Sequence, residues 1–233
     1  MKTIGMIGGT GWISTAEYYR LINEETNRRL GGLEAARIVL VSLNYGDVYR
    51  LNQREDHTSV FELLLDAACV LEVGGAEGIL LCANTLHRYA ADFRARVSTP
   101  IVHIADAVAL EIHRLGLTTV GLLGTRPTME LDFYTRPLRD AGIEALVPGE
   151  GDRAFVHGAI FGELLKGHFR PETKAKFLGI IGGLEQRGAQ GVVLGCTEIP
   201  LLIKPGDTDL PLFDTLAIHA KAAVDFALGD GGR

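Results

Sequence analysis

The stretch Gly188-Ala-Gln-Gly-Val-Val-Leu-Gly-Cys-Thr-Glu-Ile-Pro200 decides how this chain is read. Gly188 and Gly191 mark a turn, and Val192-Val193-Leu194 is a short apolar run of the kind buried in a parallel sheet. Gly195 breaks the run and delivers Cys196, Thr197 and Glu198 together, after which Pro200 stands where a helix can begin. A strand that ends in reactive side chains and turns into a helix is where α/β folds keep their chemistry. A helix dipole at that junction is expected to lower the Cys196 thiol pKa and favour thiolate. A buried Cys that merely packs is the commoner fate of this residue type, but the polar neighbours Thr197 and Glu198 weigh toward function.

The same pattern occurs once before. Gly75-Ala-Glu-Gly-Ile-Leu-Leu-Cys-Ala-Asn-Thr85 matches Gly188–Glu198 at an offset of 113 residues. Thr3-Ile-Gly-Met-Ile-Gly8 matches Thr119-Val-Gly-Leu-Leu-Gly124 at an offset of 116, and that offset also carries Tyr18 onto Tyr134 and Arg20 onto Arg136. Pro100-Ile-Val102 resembles Pro211-Leu-Phe213. Repetition of this length means a duplicated structural unit, and strand and helix signals alternate throughout. The expected fold is therefore α/β: two pseudo-symmetric domains, each a mostly parallel sheet flanked by helices, with the active site in the cleft between them. Residues 1–105 plus 208–233 are expected to form the first domain and residues 106–207 the second.

Local signals fill in the rest. Ser14-Thr-Ala-Glu17 reads as a capping box opening a helix to about Arg29. Asn44–Arg54 reads as a polar loop, and Ser59 to Val73 as an amphipathic helix that turns Cys69 inward. Pro100–Ile104 reads as a fourth strand, residues 215–228 as a C-terminal helix, and Gly229–Arg233 as a frayed tail.

Composition narrows the function. The 233 residues are 47% hydrophobic and 22% charged, with a net charge of −6, which argues against a nucleic-acid or membrane-surface partner. No apolar run reaches membrane-spanning length, and the N-terminus carries no signal-peptide pattern. Three cysteines, Cys69, Cys82 and Cys196, suggest a reducing cytoplasm, and none has zinc-site spacing.

The glycine turn Gly8-Gly9-Thr10-Gly11 invites a dinucleotide reading, but Ser14 stands where the fingerprint needs Gly or Ala, and no acid follows the second strand. An anion nest sized for a carboxylate fits better, with Thr10 in it and Gly124-Thr125-Arg-Pro-Thr128 in the repeat position. A tight turn without a ligand is the bland alternative. The repeat aligns Cys196 with Ala83, not with Cys82. Paired acid/base groups on opposite faces of one carbon are what a racemase needs, and here only one of the two equivalent positions holds a thiol. Cys82 lies one residue early, on the opposite strand face, where packing is the simpler role. Asn84 and Thr85 can cap a helix or hold a substrate carboxylate. His87 reads equally well as structural, and Gln53 and Arg54 read equally well as closing over a cleft or as part of a solvated loop.

These motifs resemble the aspartate/glutamate racemase family, and within it the broad-specificity amino-acid racemase branch. The matching pieces are Ile7-Gly-Gly-Thr-Gly11, Cys82-Ala-Asn-Thr-Leu-His87, Leu122-Leu-Gly-Thr-Arg-Pro-Thr-Met129, Gly195-Cys-Thr-Glu-Ile199 and Phe213-Asp-Thr215. The resemblance implies two α/β domains, a dimer and no pyridoxal phosphate, and no residue spacing calls for a metal. It implies a catalytic Cys from each domain, of which Cys196 matches the second. The first would stand at position 83, where this chain has Ala. A family lysine that reads acidic side chains aligns with Leu165, beside Lys166. The expected function is a cofactor-independent racemase or epimerase of an amino acid, with Cys196 as thiolate base and Thr197 and Glu198 orienting it. The other substrate-binding candidates are Thr10, Gln53, Asn84, Thr85, Thr125, Thr128 and Lys166. Other single-cysteine isomerase or hydrolase chemistry on a carboxylate, or a carboxylate-binding protein without chemistry, competes with it.

Overall fold

A computed structural model of the chain describes residues 1–229; the end of the expected frayed tail, 230–233, lies outside them. In chain order the elements are β1 (Ile4–Gly8), α1 (Trp12–Leu30), β2 (Ile38–Ser42), α2 (Tyr45–Gln53), α3 (His57–Val73), β3 (Gly78–Leu81), a 3₁₀ turn (Asn84–Tyr89), α4 (Ala90–Arg96), α5 (Ile104–Arg114), β4 (Thr119–Gly124), α6 (Arg126–Glu130), α7 (Asp132–Asp140), β5 (Glu144–Leu146), α8 (Glu150–Gly162), a 3₁₀ turn (Leu164–Lys166), α9 (Pro171–Gln186), β6 (Val192–Gly195), α10 (Ile199–Leu202), β7 (Leu212–Asp214) and α11 (Thr215–Leu228). The chain divides into two compact units, residues 1–103 with 219–233 and residues 104–218. The second division falls inside α11, eleven residues beyond the 207/208 boundary read from the sequence.

Unit 1 holds the parallel sheet β2-β1-β3. Its core is the apolar face of α3 (Val60, Leu64, Ala67, Ala68, Leu71) with Ile7, Ile79, Leu81 and Phe93. The 3.6-residue spacing of the α3 positions is what turns them to one side, and each large side chain so buried is worth about 1.5–3 kcal/mol. Returning at the C-terminus, α11 ties in through His219, whose Nε2–H donates to the Val102 carbonyl (2.7 Å) while Nδ1 accepts from the Tyr18 hydroxyl (2.8 Å). Burial holds this imidazole neutral, with its pKa lowered to about 4.

Unit 2 holds the parallel sheet β5-β4-β6-β7, covered on both faces. Leu123, Val192 and Leu194 pack with Ile160, Phe177, Ile181 and Leu184 from α8 and α9. Leu122, Val193 and Phe213 pack with Ile112, Tyr134 and Leu138 from α5 and α7. Alternate residues of one strand thus feed opposite layers, and the strands read as continuous apolar runs for that reason.

The units repeat each other down to their registers. Gly5↔Ile79, Met6↔Leu80 and Ile7↔Leu81 in unit 1 become Gly121↔Val192, Leu122↔Val193 and Leu123↔Leu194 in unit 2. The Glu77 carboxylate accepts from the Thr3 amide (2.8 Å), and its counterpart, the Gln190 side chain, accepts from the Thr119 amide (3.1 Å). Even the extended segment Pro100–Val102, which makes a bridge and no strand, has its twin in Pro211–Phe213. The Ile79 and Val192 amides donate to the Pro100 and Pro211 carbonyls at 2.9 and 2.8 Å. Tyr18 and Tyr134 are both fully buried, but only Tyr18 finds a hydroxyl partner. Among the described residues the Tyr134 hydroxyl has none, an omission that ordinarily costs about 1–3 kcal/mol.

Four local expectations are corrected. Residues 45–53 are helical: the Asn44 side chain caps the helix by accepting from the Gly46 amide, and Val48 and Leu51 face the core. Cys69 is exposed, since the buried stripe of α3 passes through Ala67, Ala68 and Leu71. Helix α1 begins at Trp12 after Gly11, so Ser14 and Thr15 lie inside it and form no capping box. Pro100–Ile104 makes a single bridge, Ile79↔Ile101, because α5 already starts at Ile104.

Candidate active site

In unit 1, β1 ends on a turn that only glycine permits. Gly9 has φ +84°, and a Cβ there would stand 2.0 Å from the Leu43 carbonyl oxygen. Thr15 braces this turn, accepting from the Gly9 amide (2.9 Å) and donating to the Gly11 carbonyl (3.1 Å). The Thr10 hydroxyl in the same turn is buried and has no hydrogen-bond partner among the described residues. One strand over, β3 runs into Ala83 in extended backbone and then into the 3₁₀ turn that carries Asn84 and Thr85. Asn84 is buried and Thr85 half-buried. The strand's alternation separates the two neighbours: Ile79, Leu81 and Ala83 pack into one layer, while Cys82 faces away from it. The Cys82 thiol is wholly buried, and desolvation alone pushes its pKa far up. His87 holds the turn, its Nδ1 meeting the Ala83 carbonyl at 3.1 Å, and burial beside His103 and His219 keeps its ring neutral.

In unit 2 the equivalent layer is Val192, Leu194 and Cys196, so Cys196 occupies the position that Ala83 occupies in unit 1. The strand ends come close here. A Cβ on Gly195 would lie 2.9 Å from the Leu123 carbonyl oxygen, and one on Gly124 2.9 Å from the Gly195 carbonyl oxygen. The Thr215 hydroxyl donates to the Leu194 carbonyl (3.0 Å) and fixes the next-to-last residue of the strand before the turn. Cys196 is 8% exposed. Its Sγ–H donates to Glu198 Oε2 at 2.9 Å, and the Thr197 hydroxyl donates to the same oxygen at 2.8 Å. On the neighbouring strand end, the Thr125 and Thr128 hydroxyls are 3.1 Å apart and hydrogen-bonded.

The electrostatics reverse one expectation. The Cys196 thiol is not acidified by a helix. Burial, and then the Glu198 carboxylate beside it, push its pKa well above the ordinary thiol value. The helix that follows, α10, has only four residues, too short for a useful dipole. The resting group is a thiol held on a carboxylate.

Thus unit 1 gathers Thr10, Ala83, Asn84 and Thr85 at the carboxyl ends of adjacent strands, and unit 2 gathers Thr125, Thr128, Cys196, Thr197 and Glu198 in the same way. Gln53 is the exposed last residue of α2, and Arg54, also exposed, follows it. Lys166 is exposed in the 3₁₀ turn after α8, and among the described residues no hydrogen bond or ion pair of its side chain joins it to the Cys196 turn. One contributor gave no sequence signal: His157 of α8, whose Nδ1 accepts from the Arg126 amide (3.2 Å). Its 31-residue separation from Arg126 follows no local rule.

The chain is thus built of two parallel α/β units, each with polar side chains clustered at its strand ends, and one of them carries a thiol–carboxylate pair. The model of the Asp/Glu/hydantoin racemase family matches residues 7–223, and the chain belongs to that family. The crystal structure of a candidate Asp/Glu racemase from Yersinia pestis is 43% identical, covers 98% of this chain and 100% of its own, and superposes with a TM-score of 0.93. The aspartate racemase homologue PH1733 from Pyrococcus horikoshii is 36% identical over 98% of this chain and 100% of its own, with a TM-score of 0.86. The broad-specificity amino-acid racemase RacX of Bacillus subtilis is 25% identical over 72% of this chain and 73% of its own. The family and its members support an amino-acid racemase function. No described helix is long and apolar enough to cross a membrane.

Proposed function

We propose that this chain is a cofactor-independent amino-acid racemase or epimerase in which Cys196 moves the α-proton and Glu198 receives the thiol's own proton. The observation that carries the reading is the 2.9 Å hydrogen bond from Cys196 Sγ to Glu198 Oε2. A thiol whose proton already points at a carboxylate becomes a base by a short transfer to that oxygen. The thiolate then takes Cα–H from one face of the substrate, leaving the electron pair on Cα next to the α-carboxylate. In this reading Asn84, Thr85, Thr125 and Thr128 hold that carboxylate, and the proton returned to the far face comes from the side of position 83. Ala83 has no proton to give, so Cys82, Thr85 or water supplies it, slowly. The enzyme works without pyridoxal phosphate, in the cytoplasm and as a homodimer, a state that sedimentation of the purified protein reads directly.

Glu198→Gln tests the pair. The amide keeps the shape and still accepts from the thiol, but it cannot take a proton at neutral pH. Exchange of the substrate α-proton with solvent deuterium should fall about 10²–10⁴-fold in kcat with KM little changed. An undiminished rate would remove Glu198 from the proton path.

A further inference from the structure

The helix that follows Thr125 and carries Thr128 is short and weakly capped. It has five residues, too few to hold together without help from packing. The first turn of a helix leaves amides that no intrahelical carbonyl can meet. Pro127 removes one of them, and Arg126 keeps another. Among the described residues the Thr125 side chain, at the N-cap, bonds no helix amide, and its hydroxyl is engaged with that of Thr128 at 3.1 Å. The cap comes from another helix: the Arg126 amide donates to Nδ1 of His157 on α8 at 3.2 Å. Phe161, one turn further along α8, steadies that ring, with the two ring centroids 4.8 Å apart. Unit 1 braces the equivalent turn from within, through the Thr15 hydroxyl. At the 116-residue offset Thr15 falls on Leu131, which has no hydroxyl, so unit 2 takes its brace from α8 instead.

We propose that His157 is a positioning residue for the Cys196 site: it holds the Thr125–Thr128 turn in its binding geometry while its ring is uncharged and releases the turn on protonation. This rests on the reading of Thr125 and Thr128 as holders of the substrate carboxylate. A ring nitrogen that accepts from an amide must keep its lone pair, so the neutral ring carries its proton on Nε2. A proton arriving at Nδ1 takes that lone pair and leaves two N–H groups facing each other. The charges around the ring are few. Helix α6 brings Arg126 and Glu130, which act on it in opposite directions. Arg153, one turn back on α8, is paired with Glu130 at 3.0 Å. On α9, Lys174 and Lys176 are paired with Asp207 and Asp152. The turn after α8 adds Glu163 and Lys166, and β4 carries no charge. Partial burial, and then the Arg126 charge, hold the imidazole pKa below the ordinary 6.5. At neutral pH the clamp is therefore closed, and it opens as pH falls through that lowered value.

Exchange of the aspartate α-proton in deuterated buffer, followed from about pH 8 to about pH 5 in the wild type, His157→Asn and His157→Ala, tests this. Wild-type KM should rise about 3–10-fold over that range, the worth of one hydrogen bond, with kcat little moved. In His157→Asn the side-chain oxygen stands in for Nδ1, accepts from the Arg126 amide and does not titrate, so KM should stay low at both ends. His157→Ala should show the high KM at every pH. Far-ultraviolet circular dichroism confirms that each variant is folded. In nitrogen-15 spectra of the wild type, the Arg126 amide signal should move with the same midpoint as the His157 ring. A KM profile shared by the wild type and His157→Asn, an unaltered KM in His157→Ala, or an Arg126 amide that ignores the His157 titration would each overturn the proposal. An amide that follows the ring in a protein that exchanges no α-proton would sink the racemase reading and leave the clamp on the Thr125–Thr128 turn standing.

Discussion

Cys196→Ser should abolish exchange of the substrate α-proton with solvent deuterium, a loss of about 10²–10⁴-fold or to below detection. The substitution is nearly isosteric at a residue only 8% exposed, and a serine hydroxyl can donate to Glu198 as the thiol does. Folding and substrate binding therefore survive it. What is lost is basicity on demand, because a hydroxyl surrenders its proton far less readily than a thiol. The wild-type pH profile carries a second signature. Burial and the adjacent Glu198 raise the Cys196 pKa well above its ordinary value, so the thiol form dominates at neutral pH. Because Cys196 hands its proton to Glu198 within the pair, the resting and reactive forms hold the same number of protons, and the exchange rate should stay flat across the neutral range. A rate that climbs with pH through neutrality would mean that the thiol loses its proton to solvent and would contradict transfer to Glu198. Undiminished exchange in Cys196→Ser would take the residue out of the mechanism altogether.

Ala83→Cys should raise racemisation of aspartate or glutamate by about 10²–10⁴-fold, the usual worth of a positioned acid/base group. Position 83 lies in the same layer of its strand end as Cys196 does in unit 2, and it carries a methyl that can neither give nor take a proton. The wild type should therefore exchange the α-proton of one enantiomer faster than it racemises it. Adding the second thiol should bring the two rates together, whichever enantiomer is supplied. Ala83 is half-buried and packs beside Ile79 and Leu81, so one sulfur atom is a small addition. If Ala83→Cys gains nothing and Cys82→Ala stops the reaction, the second acid/base is Cys82 despite its buried, opposite-facing position.

The repeat made the architecture legible. Two offsets, 113 and 116 residues, aligned strand ends whose ladders turn out to share one register, and a shared register is why Cys196 aligns with Ala83 and not with its neighbour. Thr125, Thr128, Thr197 and Glu198 were readable for the same reason: they are short polar residues one to four positions past an apolar run. What stayed hidden depended on the third dimension. Residues 45–53 look like a loop because only Val48 and Leu51 of that helix touch the core. Cys69 sits in an apolar stretch whose buried stripe happens to skip it. The state of the Cys196 thiol is not legible in the sequence, because a four-residue helix cannot be told from a long one by its first Pro and because the distance to Glu198 is a side-chain fact. His157 has no signal in one dimension.

The order in which the units are completed runs against the order in which they begin. The first unit to begin is the last to finish. Residues 1–103 lack the hydrogen-bond acceptor for the Lys2 amide, the ion-pair partner Asp225 for Arg29 and the His219 acceptor for Tyr18 until α11 has been made. Unit 2, residues 104–218, is continuous and is complete while that helix is still emerging. At about 5–20 residues per second a ribosome needs roughly ten seconds to add unit 2, and for that interval the amino-terminal sheet waits without its closing helix. Chains arrested shortly after residue 218 should be cut by protease in the first hundred residues and resist it in the next hundred; the reverse pattern would mean that the amino-terminal sheet folds without help from α11.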